Sequence, residues 1–388
     1  MPDSFADDDP FGCFGSDDEG LNSGDRVPSA LTPASGATPL KPNVKPVRDD
    51  DCGVLSFHQG TEAALLAHVQ NAVDGLSLPP VDSNDDVVAA EAWEGSPKDV
   101  ASATVLTAVD AFCHSRHWMM HVGPEKGAEV SDTLRRTAED AADQHLAQSE
   151  SASGRTRRRP FVAVELGTYC GYASVLLGRS LFIAAANAAK RGGDAPDALD
   201  FHLYTVEVNP PFLAIAREIV KLARLDDKIS FLQIPLNPSG TSAHGATANA
   251  LSEIIGKDIE ARQTLFVESH DADDSSEEVA ISHGLSDVPQ IDFLFIDHDK
   301  DMYLPDLQSM EKKGLVRVGT TVVADNVIFA RIDDYLAYVK KRAEQGVTTT
   351  ETIAARIEYS HVQTNGQDDD DSDLFRDGIE VTRYLTTP

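Results

Sequence analysis

From residue 160 onward, short apolar runs alternate with longer amphipathic segments, and this alternation constrains the fold more than any other feature. The runs of strand length are "PFVAVEL", "FHLYTVEV", "ISFLQI", "IDFLFID" and "GTTVVAD", and two late candidates are "TIAARIEYSHV" and "IEVTRYL". Segments with helical spacing, such as "PPFLAIAREIVKLARL", separate most of them. The pattern is typical of an α/β fold with a doubly wound, mostly parallel sheet.

The segments around this alternation differ in composition. Residues 1–51 carry 11 acidic residues, 4 basic residues and seven prolines, which predicts a disordered acidic tail before a single domain over 52–388. Apolar periodicity predicts N-terminal helices over 61–73, 102–118 and 128–148. Polar loop insertions are expected near 74–97, 187–200, 235–290 and 363–373.

The charge balance limits the possible partners. The chain has 64 acidic and 33 basic residues, a formal charge of −31, which disfavours nucleic acid and anionic membranes. Four scattered cysteines suit reduced thiols. The N-terminus has no apolar signal-like run, and Arg179 interrupts the most apolar helix candidate. We therefore expect a soluble, cytoplasmic protein with no membrane partner; the oligomeric state stays open, a monomer being one possibility.

A glycine turn connects the first strand to the following helix. "VAVELGTYCGYA" places Gly167 and Gly171 there, where ligands of such sheets bind, and the next strand ends in Glu207. An acid at that strand end commonly holds a ribose. The glycine spacing is not that of a dinucleotide site, so the pattern favours another adenosine-bearing cofactor, with a purely structural turn as the alternative.

Two further strands end in polar residues. "IDFLFIDHDKD" reaches Asp297, and "GTTVVADNV" ends in Asp325 and Asn326. Because parallel strands end at one edge of a sheet, these oxygens are expected to lie together, and they suit Mg²⁺. Lys300 follows by three residues, where a partly buried amine near a cation can act as a base. A strand leaving the core for water is the plainer interpretation.

Seven segments, taken in order, form a set: "HWMMHVGPEKG", "VELGTYCGYAS", "VEVNPPFLAIA", "DFLFIDHDKDMYLPD", "LVRVGTTVVADNVI", "IEYSHV" and "DGIEVTRY". Through these segments and their order, the chain resembles the catechol O-methyltransferases over roughly 57–385, apart from the insertions. The resemblance implies a seven-stranded, Rossmann-like methyltransferase sheet whose last strand is antiparallel. It also implies S-adenosylmethionine as the cofactor, Mg²⁺ as the metal and a small-molecule catechol as the substrate.

The resemblance implies roles for the polar residues at the strand ends. Asp297, Asp325 and Asn326 would hold Mg²⁺, and Lys300 would accept the proton of the reacting hydroxyl. Glu358, in "IEY", would hydrogen-bond the second hydroxyl; a surface acid is the alternative there.

A cofactor pocket and a substrate wall are also implied. Trp118 and Met120 would wall the flat aromatic substrate, beside Lys300, Asn326 and Glu358; a core tryptophan is the alternative for Trp118. The residues expected at the cofactor are Val122, Glu165, Gly167, Tyr169, Glu207, Val208, Asp297 and His298.

Some positions differ from the family pattern. Asp299 stands where an aromatic residue usually lies beside the adenine, and Ala173 stands where a serine usually contacts the cofactor carboxylate, with Ser174 next to it. The expected function is Mg²⁺-dependent methyl transfer to a catechol. The alternatives are the same chemistry on another acceptor with vicinal hydroxyls and a non-catalytic binding protein on this scaffold. The glycine spacing disfavours a nicotinamide-dependent oxidoreductase.

Overall fold

A computed structural model describes most of the chain from residue 60 onward. The described residues are 47–48, 55–56, 60–79, 93–116, 119–151, 159–192, 199–236, 242–243, 245–270, 289–358 and 376–388. The predicted tail over 1–51 lies outside them, except that Val47–Arg48 pairs with Leu55–Ser56 in a short antiparallel ladder. Its disorder stays a prediction, and so does the insertion near 363–373.

The main sheet has seven strands. They are β1 (Phe161–Leu166), β2 (Phe201–Glu207), β3 (Ile229–Gln233), β4 (Phe293–Ile296), β5 (Thr321–Ala324), β6 (Thr348–Arg356) and β7 (Arg376–Tyr384). Their spatial order is β3-β2-β1-β4-β5-β7-β6. Strand β7 runs antiparallel to both of its neighbours, β5 and β6, and the other four pairings are parallel. The predicted seven-stranded, mostly parallel sheet is therefore confirmed, including its antiparallel last strand.

Eight α-helices accompany the sheet in the described part of the chain. They are α1 (Thr61–Asp74), α2 (Pro97–Ser115), α3 (Gly123–Ser151), α4 (Tyr172–Gly192), α5 (Pro210–Leu222), α6 (Ala246–His270), α7 (Tyr303–Lys312) and α8 (Asp333–Glu344). The three N-terminal helices are confirmed. Helix α2 begins before residue 102 because the Ser96 hydroxyl accepts a hydrogen bond from the Asp99 amide and Pro97 occupies the first turn.

Helix α6 corrects the prediction of a plain polar insertion over 235–290. Its Ala248, Leu251 and Ile255 are buried against the sheet. The spacing of these side chains is helical, but the polar residues between them hide the stripe in the sequence. This helix lies between β3 and β4, as a doubly wound topology requires.

Helices cover both faces of the sheet. Alternate strand residues point to opposite faces, so Phe161 and Ala163 pack with residues of α1 to α5, whereas Val162 and Val164 pack with α6 to α8. Helix α4 over Tyr172–Arg191 is long and apolar enough to cross a membrane by length and composition, but 67% of its most apolar window is buried within the protein.

Candidate functional site

The glycine turn after β1 brings two strand ends close together. Gly167 has φ of +98°, and a Cβ placed there would lie 2.0 Å from the carbonyl oxygen of Asp297 after β4. Only glycine tolerates both conditions. Gly171 has φ of +86° and packs on Ala216 of α5, where a Cβ would come within 3.1 Å. Both glycines are thus explained by contacts inside the protein, whatever ligand the turn binds.

Glu207, at the end of β2, is hydrogen-bonded to this turn. Its carboxylate accepts backbone N–H bonds from Tyr169 (2.8 Å), Val208 (2.9 Å) and Asn209 (2.8 Å). Burial raises the pKa of Glu207, and these three N–H groups oppose that shift. A carboxylate has about four acceptor positions, so Glu207 keeps capacity for a ligand hydroxyl.

Glu165 lies fully buried beneath the turn. One carboxylate oxygen accepts a 2.5 Å bond from the Ser174 hydroxyl, and the other has no hydrogen-bond partner among the described residues. Burial is the largest cause raising the pKa of Glu165 to about 8. Because Ser174 is engaged here, it is not placed as a substitute for the serine missing at Ala173.

Four further predicted cofactor and substrate positions lie within the described residues, namely Tyr169, Val122, Val208 and Met120. Tyr169, with φ of 45°, packs edge-on against Phe212 at a ring-centroid distance of 4.9 Å. Val122 is buried directly before α3, and Val208 and Met120 are partly exposed. Trp118 lies outside the described residues. The Tyr169 hydroxyl donates a hydrogen bond to Glu62 of α1 at 3.3 Å, a contact that the sequence did not predict.

The residues after β4 hold a lysine in a fixed position. Lys300 Nζ donates to Asp297 Oδ1 (3.0 Å), Asn326 Oδ1 (2.9 Å) and the Tyr303 hydroxyl (2.7 Å). Tyr303 in turn donates to the backbone carbonyl of Asp325 at 3.1 Å. An ammonium has three donors, and all three of these are used, so the lysine is anchored on both strand ends at once.

His298 and Asp299 have partners other than this lysine. His298 stacks on Tyr303, and its Nε2 lies 3.0 Å from Asp306 Oδ2. The Asp299 side chain accepts the backbone N–H of Asp301 at 3.2 Å, which caps the short 3₁₀ turn that carries Lys300. The unusual aspartate therefore has a local structural role.

The end of β5 orients two oxygens. Asp325 is fully buried; its Oδ1 accepts the backbone N–H of Asn326 at 2.8 Å, and its Oδ2 has no hydrogen-bond partner among the described residues. Asn326 adopts a left-handed φ of 57°, which is uncommon outside glycine. Its Nδ2 donates to Glu358 (3.1 Å) and Asp377 (2.9 Å), so its Oδ1 must face Lys300.

Two charged residues at this site were missed in the sequence. Lys126 of α3 and Asp377 of β7 are both buried, and Lys126 Nζ lies 2.6 Å from Asp377 Oδ2. Lys126 also pairs with Asp325 at 2.7 Å and with Glu358. Burial opposes the charge of Lys126, but the three carboxylates outweigh it and hold its pKa well above the usual value.

A signal for Lys126 was present in the sequence. The buried stripe of α3 recurs every four residues through Val130, Leu134, Ala138 and Ala142, and Lys126 occupies the same register. A lysine in an apolar stripe requires a buried partner. The partner of Lys126 could not be predicted from the sequence, because Asp377 lies 251 positions away.

The residues at the strand ends fit a divalent cation. Asp297 Oδ1 and Asn326 Oδ1 already converge on one positive group, the Lys300 ammonium. Asp325 offers a buried oxygen that lacks a partner in the described structure. Two carboxylates and an amide form a hard oxygen set of the kind that Mg²⁺ binds.

Known proteins match the chain in sequence, although no protein-family model matches it. Catechol O-methyltransferase of Bos taurus is 29% identical over 259 residues, 67% of this chain and 66% of that protein. The Mus musculus enzyme of the same name is 30% identical over 237 residues, 61% of each chain. A probable O-methyltransferase of Mycobacterium tuberculosis is 28% identical over 266 residues, 69% of this chain and 81% of that protein.

The match thus spans just under two thirds of the bovine and mouse proteins. By sequence, the chain is a relative of O-methyltransferases. Among these, its similarity to the catechol O-methyltransferases is confirmed. A solved O-methyltransferase from Bacillus cereus in complex with SAH covers 83% of this chain and 99% of its own, at 16% identity and a TM-score of 0.38. That structural similarity is too weak to inform the function.

Proposed function

We propose that the protein is a catechol O-methyltransferase that transfers the methyl group of S-adenosylmethionine to one hydroxyl of a small-molecule catechol. The observation that carries the proposal is the convergence of Asp297, Lys300, Asp325 and Asn326 at adjoining strand ends. The names of the bovine and mouse relatives support the same chemistry. The strongly acidic composition favours a small substrate over nucleic acid, and the scattered cysteines favour the cytoplasm.

Asp297, Asp325 and Asn326 would hold Mg²⁺. When bound, this metal lowers the pKa of a hydroxyl that it contacts, as it does for water. The chain contributes the arrangement of the ligands. The backbone of Gly167 packs directly on Asp297, and the left-handed conformation of Asn326 turns its carbonyl oxygen toward the same point.

Lys300, as the neutral amine after its ammonium has lost a proton to solvent, would accept the proton of the reacting hydroxyl at its Nζ. The Tyr303 hydroxyl holds this nitrogen at 2.7 Å, between the oxygens of Asp297 and Asn326. A hydroxyl placed among those ligands is within reach of the amine, which is the first requirement for a general base. Glu358 accepts from Asn326 and would take a hydrogen bond from the second hydroxyl.

Glu207, Gly167, Tyr169 and Val208 would hold the ribose and methionine parts of S-adenosylmethionine at the ends of β1 and β2. The remaining acceptor capacity of Glu207 suits ribose hydroxyls. These cofactor residues adjoin the proposed metal ligands because Gly167 packs on the backbone of Asp297. Fixing donor and acceptor in this way removes much of the entropic cost of a two-substrate reaction.

The test is transfer from labelled S-adenosylmethionine to catechol, with Mg²⁺ and with EDTA, and phenol as the matched acceptor with one hydroxyl. We expect methylated catechol only with Mg²⁺, and little product from phenol. Transfer that persists in EDTA would contradict the metal role. Cofactor binding without transfer to catechol would indicate another vicinal-hydroxyl acceptor, and the absence of cofactor binding would favour a non-catalytic binding protein.

A further inference from the structure

Three buried acids form a second set of oxygens beside the proposed metal ligands. Asp325, Glu358 and Asp377, here called the carboxylate cluster, each place an oxygen within 4.8 Å of the others. Three carboxylates are a stronger hard-cation site than the two carboxylates and one amide of the proposed Mg²⁺ ligands. A divalent cation entering this region therefore has a competing place to bind.

Lys126 fills that place. Its Nζ lies 2.7 Å from Asp325 Oδ1 and 2.6 Å from Asp377 Oδ2, and it also pairs with Glu358. The three ammonium donors thus meet three different acids. The lysine side chain is only 1% exposed and extends from the buried stripe of α3, so it is held among the acids by the fold.

Asp325 belongs to both sets, and its two oxygens are divided between them. Oδ1 faces Lys126, whereas Oδ2 has no hydrogen-bond partner among the described residues. The other two proposed metal ligands, Asp297 and Asn326, accept hydrogen bonds from Lys300 and not from Lys126. An ammonium on Oδ1 leaves only Oδ2 of this residue for a metal.

We propose that Lys126 is a built-in cation that occupies the carboxylate cluster and so restricts the divalent cation to Asp297, Asp325 and Asn326. A tethered ammonium suits this task because it cannot dissociate. The inference rests on the proposed metal site, which it deepens by assigning a selectivity role to a residue outside the ligand set.

Removal of the lysine should open the cluster to metal. We would measure Mn²⁺ uptake by the full chain with calorimetry and electron paramagnetic resonance, since Mn²⁺ prefers the same oxygen ligands and is visible by resonance. Lys126→Met should bind at least one Mn²⁺ more than the wild type. The double variant Lys126→Met with Asp377→Asn should hold the additional ion more weakly than Lys126→Met, because an amide then replaces one of the three carboxylates of the cluster.

Three controls keep the comparison specific. Lys340→Met removes an exposed lysine of α8 and should leave uptake unchanged. Lys126→Arg retains the positive charge and should also exclude the additional ion. Asp377→Asn alone should take up no additional ion, because Lys126 remains in the cluster. If Lys126→Met folds only when Mn²⁺ is present, the metal has replaced the ammonium, as the proposal expects; if it does not fold at all, Lys126→Gln carries the same comparison.

A folded neutral variant with wild-type Mn²⁺ uptake would overturn the proposal, and so would equal additional uptake by Lys126→Arg. Failure of the proposed function gives a different result. If the wild type takes up no Mn²⁺, the proposed ligands are wrong, whereas additional uptake in Lys126→Met would still demonstrate the exclusion by Lys126.

Discussion

Strand β4 has an aspartate at each end, and the two ends of the sheet are built differently. Asp292, before the strand, receives both terminal nitrogens of Arg159, at 2.5 and 2.7 Å, and the Val162 amide at 2.8 Å. At the other end, Asp297 and Asp325 share one edge with two lysines. Both ends are rich in charge, so charge alone does not distinguish them.

The difference lies in how completely the oxygens are used. Both carboxylate oxygens of Asp292 are bonded, and these bonds join the start of β4 to Arg159 before β1 and to Val162 within β1. At the other edge, Asp325 Oδ2 and one oxygen of Glu165 are buried without partners among the described residues. Unsatisfied buried oxygens are costly, which favours a ligand at Asp325 and a structural role for Asp292.

The largest effect is expected for Lys300→Met. Loss of a general base should reduce methyl transfer by about 10²–10⁴-fold, and cofactor binding should persist because Glu207 and the glycine turn are untouched. Rates and calorimetric binding of S-adenosylmethionine measure the two effects, with Lys340→Met on α8 as the matched exposed variant. Near-normal turnover would remove Lys300 from the reaction.

Glu165→Gln tests the unsatisfied oxygen beneath the glycine turn. The folded pKa of about 8 lies above the ordinary value of 4.5, so the folded state holds an additional proton between these limits. Stability without cofactor should therefore fall as pH rises through that window, by up to about 1.4 kcal/mol per pH unit.

The Gln variant has no proton to lose at this position, so its stability should fall less over the same window. Urea unfolding of both chains from pH 4.5 to pH 8 measures the difference. Parallel curves would mean that Glu165 ionises normally in the fold.

Gly167→Ala tests the close approach of the glycine turn after β1 to Asp297 after β4. Gly346→Ala is the matched control, because its φ of +72° is also positive but a Cβ there meets nothing within 4 Å. The control should cost about 1–2 kcal/mol for the left-handed conformation alone. Gly167→Ala should cost more and also reduce transfer, because the new methyl group displaces Asp297. Equal losses of stability in Gly167→Ala and Gly346→Ala, with methyl transfer intact in both, would mean that the contact between Gly167 and Asp297 does not matter for the reaction.

The smallest effect on activity is expected for Asp292→Asn at the amino end. The amide cannot pair with both Arg159 nitrogens, so unfolding should become easier by about 1–3 kcal/mol. Chemical denaturation measures this loss, and methyl transfer below the melting temperature should be unchanged. A large loss of methyl transfer in a stable Asp292→Asn variant would mean that Asp292 takes part in the reaction and is not only structural.

The sequence predicted the strands and their polar ends because apolar runs and terminal aspartates are local signals. It missed α6, whose buried Ala248, Leu251 and Ile255 are diluted by polar neighbours. It also missed the partnership of Lys126 and Asp377, because a contact across 251 positions depends on the folded topology. The roles of the predicted site residues stay predictions, and Trp118 lies outside the described residues.

The most direct test of the proposed metal site at the carboxyl ends of the strands is calorimetric titration of Mg²⁺ into the wild type, Asp325→Asn and Asp292→Asn. Asp325→Asn should weaken Mg²⁺ binding by well over the roughly 10–100-fold typical of changes around a metal ligand. Asp292→Asn should bind Mg²⁺ like the wild type in spite of its lower stability. Equal Mg²⁺ affinity in all three chains, or a greater loss in Asp292→Asn, would contradict the assignment of the metal to the carboxyl ends of the strands.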